Sequence, residues 1–145
     1  MKEQKIRKDY RKVFIAVIVL LVFICLCEAT KASEYTGLIV DAHGFDVWPG
    51  MSPKIIDTSG REIYGTMDID PDYVIEKGIV SYVDSIAEAI EQGLVGNDPL
   101  IVRAAARDHD PAKTNVVINK EDGDRILKEN AKSGFLDNLK VAIIR

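Results

Sequence analysis

Between Tyr35 and Gly65 short apolar runs alternate with turn residues, and this punctuation limits the fold more than any other feature. The stretch reads Tyr35-Thr-Gly-Leu-Ile-Val-Asp-Ala-His-Gly44, a loop, then Ser52-Pro-Lys-Ile-Ile-Asp-Thr-Ser-Gly-Arg-Glu-Ile-Tyr-Gly65. Runs this short bury nothing alone and need partners in a sheet. Tyr35–Asp41 is rich in β-branched residues and reads as a strand. Pro53–Asp57 and Arg61–Tyr64 flank Asp57-Thr-Ser-Gly60, a turn in which Asp and Ser bond local backbone and Gly supplies positive φ. An antiparallel hairpin is predicted there.

Further along, Asp70-Pro71 is a helix start, with Asp at the N-cap and Pro at N1, and Gly78 closes a helix over Pro71–Lys77. Ile79–Val83 is a short apolar strand or an extended link. Ser85-Ile-Ala-Glu88 has the form of a capping box, opening a helix that Gly93 stops. Gly96-Asn-Asp-Pro99 is a turn. Leu100–Arg107 begins as a strongly apolar strand, and Val116–Ile118 is predicted to pair with its Leu100–Ala105 part as a second hairpin. Asn119 is expected to cap a helix over Lys120–Lys132 whose apolar positions are Ile126, Leu127 and Ala131, with Gly134 ending it. Lys140–Ile144 is the last strand. Hairpins mixed with helices, without strict alternation, predict an α+β fold. Its sheet is expected to be mainly antiparallel, of about five to six short strands, with two or three helices packed on one face.

The N-terminal part has a different character. Met1–Lys12 is basic, and Val13–Cys27 is an uncharged, almost wholly apolar run. As a helix that run would extend about 22 Å at 1.5 Å per residue, against a hydrocarbon core of roughly 30 Å. It suits the apolar core of a secretory signal, and Thr30-Lys-Ala32 offers small residues for cleavage before Ser33. Residues 1–32 are therefore expected to be a signal, or an uncleaved N-terminal anchor, and 33–145 a single domain. The expected location is periplasmic or secreted, with membrane anchoring by the N-terminal segment as the alternative. Lipidation at Cys25 or Cys27 is disfavoured by the bulky Ile24 and Leu26 that precede them.

Charge follows the same division. The net charge of −4 splits into +4 for residues 1–32, with seven Lys/Arg against three Asp/Glu, and −8 for Ser33–Arg145, with twelve against twenty. An acidic domain is repelled by phosphate backbones, so no nucleic-acid partner is expected. Docking of the domain itself on anionic lipid is not expected either, which leaves membrane contact to residues 13–27 if they are retained. Both cysteines lie in the apolar run, so the domain offers no disulfide, no cysteine-based zinc site and no thiol nucleophile.

Candidate chemistry is sparse. Asp41, His43 and Asp46 sit near a strand end and form the most site-like cluster, the types of side chain that bind a divalent metal or move protons. His109, between Asp108 and Asp110, would improve that site only if the two loops meet. Asp68, Asp70 and Asp72 alternate as in a calcium loop, but the required Gly and Glu positions hold Tyr73 and Ile79. There is no phosphate-binding glycine loop and no nucleophile elbow around any serine. Neither an enzyme nor a cofactor is expected. Phe45, Val47, Trp48 and Met51, in a Pro- and Gly-containing loop, are the candidate interaction surface, or else caps on the core.

Tyr35-Thr-Gly-Leu-Ile-Val-Asp-Ala-x-Gly44, Pro49-x-Met-Ser-Pro-Lys-Ile55, Asp57-x-x-Gly-Arg-Glu-Ile-Tyr-Gly65, Gly96-Asn-Asp-Pro-Leu-Ile-Val102 and the terminal Val141–Ile144 run form a distinctive set. As a set it resembles a small exported bacterial domain of envelope lipoproteins similar to flagellar-assembly lipoprotein P. The resemblance spans Tyr35–Arg145 and carries no catalytic residue. Members tend to have Arg where this chain has His43, and many carry a lipidated cysteine and a preceding domain, neither of which is expected here. The resulting expectation is a non-catalytic binding or structural module of the cell envelope, with envelope proteins as partners. Through the resemblance it extends to assembly of an envelope or flagellar-type structure. The alternative is a metal-binding protein or hydrolase using Asp41, His43 and Asp46.

Overall fold

Strands that are apolar at every position, rather than at every second one, are buried on both faces, and two such runs lie side by side inside the sheet. Gly37–Asp41 (β1) is buried from Gly37 through Val40, and Val141–Ile144 (β7) is buried throughout. The computed structural model describes residues 34–66 and 70–145, together with Phe14, Ile15, Val17 and Ile18. The chain divides into two units, Met1–Ser33 and Glu34–Arg145. In the first, the four described residues are helical and exposed. The signal, anchor and lipidation expectations concern residues outside the described ones. Among the described residues, no helix is long and apolar enough to cross a membrane.

The second unit contains, in chain order, β1, β2 (Ile55–Asp57), β3 (Glu62–Tyr64), α1 (Pro71–Lys77), β4 (Ser81–Val83), α2 (Ile86–Glu91), β5 (Pro99–Arg107), β6 (Val116–Ile118), α3 (Lys120–Ser133) and β7. One seven-stranded sheet runs β3-β2-β6-β5-β1-β7-β4. The two predicted hairpins are present: β2–β3 and β5–β6 are antiparallel. The other four pairs, β1–β5, β1–β7, β4–β7 and β2–β6, are parallel. The expectation of a mainly antiparallel sheet is thus corrected to a mixed, mostly parallel one. Local turn chemistry reveals hairpins, whereas a parallel pair joins strands far apart in the chain and leaves no mark on any single turn.

The helices also lie on both faces, not on one. Leu38, Val40, Leu100, Val102, Val116, Ile118, Val141 and Ile143 point to the larger core, which Ile126 of α3, Phe135 and Leu136 close. Ile39, Val83, Ala142 and Ile144 point the other way and pack against Ala89 of α2 and Val95. Each is the alternating residue of its strand, as the pleat requires.

Caps follow the expected chemistry with two departures. Asp70 Oδ1 accepts from the Asp72 amide at 2.9 Å, and Pro71 opens α1. Ser85 Oγ accepts from the Glu88 amide at 3.1 Å, while Glu88 reaches back to Asp84 N–H at 2.9 Å, one residue before the cap. Asn119 occupies the N-cap of α3, but its side chain makes no capping bond. Of the positions expected to face the core from α3, Ile126 is buried, whereas Leu127 and Ala131 are exposed. Gly123 takes their place, because a β-carbon there would lie 3.0 Å from Ile63 and 3.3 Å from Asp57.

Candidate functional site

The carboxyl ends of parallel strands are where open sheets place their binding loops. The end of β1 leads into the 42–54 loop, and the β5–β6 connection reaches the same place. The Trp48 amide donates to the Lys113 carbonyl at 2.9 Å. Asp110 holds the connection in shape, accepting from the amides of Thr114 (2.9 Å) and Asn115 (3.2 Å). Lys113, at φ 59°, bends the chain so that its ammonium meets Asp46 at 2.7 Å and stands 5.5 Å from the Trp48 ring centre. Trp48 Nε1 donates to Asp46 at 2.9 Å, closing an Asp46–Trp48–Lys113 group. The bonds from Lys113 and Trp48 hold the Asp46 carboxyl below its ordinary range.

Asp41 is committed elsewhere. It pairs with Arg103 on the neighbouring strand β5 and accepts from the His43 amide at 3.0 Å, and Arg103 also donates to the His43 carbonyl at 2.7 Å. Burial opposes its ionisation, but the His43 amide and the guanidinium outweigh burial and lower its pKa. His43 and His109 are exposed. Asp41 and Asp46 therefore answer to different cations. Among the described residues no three His, Cys, Asp or Glu side chains gather as a metal site would require.

The aromatic and apolar residues of the loop divide in two. Val47 is buried and Phe45 packs against the core, while Trp48 is 57% and Met51 59% exposed. The loop is held at several further points. The Tyr82 hydroxyl accepts from Gly50 N–H at 2.9 Å and donates to its carbonyl at 3.2 Å. The Ile79 amide donates to the Met51 carbonyl at 2.9 Å. Burial pushes the Tyr82 phenol up, so the hydroxyl keeps its proton. Gly50 sits so close to Thr114 that a β-carbon would come within 2.7 Å of its methyl group. Tyr82→Phe removes both hydroxyl bonds and is expected to cost about 1–2 kcal/mol. Urea denaturation checks this, and amide exchange faster at Gly50 than in the strands would locate the loss in the loop.

Two shallow grooves flank this loop and share Pro49 as a wall. One is lined by Phe45, Trp48 and Arg145, the other by Met51, Ile75, Val80 and Tyr82. Ile75, Tyr82 and Lys113 were not among the residues the sequence singled out. Tyr73-Val-Ile75 offers a signal for the first, since three consecutive apolar residues on a short helix cannot all face a core.

These features define a small mixed-sheet α+β domain that displays a fixed apolar loop at the carboxyl end of β1. Residues 37–145 match the family described as Treponema pallidum Tp0624, second domain, and the chain belongs to that family. No curated protein matches the chain.

Proposed function

We propose that this domain is a non-catalytic binding module that contacts a protein partner through Trp48 and Met51. The observation that carries this reading is the pairing of two large exposed apolar side chains with a backbone tied to β5–β6, β4 and the segment after α1. A fixed loop loses little entropy on binding, and Trp and Met are residue types enriched where interfaces are driest. Phe45 and Val47 serve as anchors of the loop in this reading. The basic and apolar N-terminal segment favours an exported protein acting in the envelope. The resemblance to lipoproteins similar to flagellar-assembly lipoprotein P extends the reading to assembly of an envelope or flagellar-type structure.

Crosslinking in the native cell, followed by intact mass, tests it. The expected result is a partner adduct that falls at least about fivefold in a Trp48→Ala, Met51→Ser protein, with a melting temperature within about 3 °C of the parent because both side chains are exposed. Recovery as a free monomer with no adduct overturns the reading.

A further inference from the structure

The sheet ends in β3 on one side and β4 on the other, and the two edges are finished differently. β3 carries Glu62, whose carboxylate meets Lys54 at 2.7 Å and the Thr66 amide at 2.6 Å, with Arg61 just ahead. Charged side chains on an edge strand deter further pairing. β4 is Ser81-Tyr-Val83, without charge or proline.

The Val83 carbonyl accepts from the Arg145 amide at 3.4 Å on the β7 side. Successive residues of a parallel strand bond to opposite sides, so the Tyr82 N–H and C=O point away from β7. Among the described residues no strand pairs with that side. Tyr82 also lines the groove of Met51 and Ile75, and Ile75 is 65% exposed. The charge here is one-sided: Asp70–Glu91, which spans α1, β4 and α2, holds six carboxylates against Lys77 alone.

We propose that β4 takes up an extended segment of a partner protein as an eighth strand, and that this segment alternates apolar and basic side chains. The period of two sends its apolar residues toward the Met51–Ile75 groove and its basic ones toward Asp84 and the acidic face of α2. A second copy of this chain does not suit the edge, because pairing β4 with β4 would bring two acidic rims together. The proposal rests on the reading of the domain as a binding module and gives that module a partner chemistry.

The test uses the purified protein with a short fluorescent peptide of alternating valine and lysine, and a twin N-methylated at alternate amides. The twin keeps charge and apolarity but cannot complete a strand ladder. The expected result is binding of the first peptide, weakened at least about tenfold in the twin and in Ile75→Glu protein. Amide shifts are expected at Ser81, Tyr82 and Val83. Equal binding of the twin, shifts confined to residues 45–51, or no binding overturns the proposal. None of these outcomes touches the crosslinking result at Trp48 and Met51, so the two readings fail separately.

Discussion

Gly37→Ala is expected to destabilise the protein by at least about 3 kcal/mol, because the added carbon has no space and its obstacle is backbone. A β-carbon at Gly37 would lie 2.4 Å from the Val95 carbonyl oxygen and 2.7 Å from its Cα. Val95 cannot retreat easily. It is fully buried in the smaller core, and its segment is cinched to the start of β1. The Thr36 hydroxyl donates to the Val95 carbonyl at 2.8 Å and accepts from the Asp98 amide at 3.0 Å, while the Thr36 amide donates to the Asp98 carbonyl at 2.9 Å. Gly96 repeats the device from the opposite side, since its β-carbon would come within 2.5 Å of the Thr36 hydroxyl oxygen. Gly37 is paired with Pro99 of β5, so displacing it also disturbs the parallel register of β1 and β5. Equilibrium urea denaturation measures the loss. A change below about 1 kcal/mol would mean that the close approach relaxes freely, against the density of packed interiors.

Asp57→Ala is expected to lower the melting temperature by about 10 °C at neutral pH, because the carboxylate organises a turn and seats a helix. The Asp57 residue is 2% exposed. It accepts from the Ser59 hydroxyl at 2.5 Å, from the amides of Ser59 (2.9 Å) and Arg61 (3.1 Å), and from Arg61 Nε at 2.9 Å. Arg61 continues to Asp124 of α3 at 2.6 Å, which Lys120 meets at 2.7 Å. Gly123 gives the helix room to lie against Asp57. The bond from Ser59 dominates, burial opposes it, and the remaining donors bring the Asp57 pKa down to about 2 from an ordinary 3.8. A depressed folded pKa stabilises where the unfolded chain is also ionised, and the effect fades as pH falls through the folded value. The gap between parent and Asp57→Ala should therefore be full above about pH 4 and narrow toward pH 2. Melting curves across that range check it, and a gap independent of pH would show that the charge is not what holds the turn.

The residues of the candidate site were legible singly and not as a group. Asp41, His43, Asp46, Trp48 and Met51 stand close in sequence, and the local pattern placed them at the end of β1 and in the loop that follows it. Nothing local shows that Arg103, about sixty residues on, would take Asp41, or that Lys113 would take Asp46 and the Trp48 ring. Those partners arrive because β5 lies beside β1 and its hairpin with β6 turns back at the same end.

The same line separates the local from the tertiary throughout the fold. The two hairpins, the Asp70 and Ser85 caps and the Gly134 stop followed from residues a few positions apart, whose backbone preferences and short-range bonds act before any core forms. The parallel neighbours of β1 did not, because β5 and β7 are chosen by which apolar surfaces fit both faces of that strand once α2 and α3 have packed. One sign of this was present in the chain: Leu38-Ile-Val40 and Val141-Ala-Ile-Ile144 are continuous apolar runs, the pattern of strands buried on both sides, whereas antiparallel strands with one wet face alternate. Which loop residues became core and which became surface was likewise a tertiary decision. Phe45 and Val47 reach the core because the chain turns inward at the end of β1. Trp48 and Met51 stay outside because Lys113, Tyr82 and Ile79 hold the backbone between and beside them away from it.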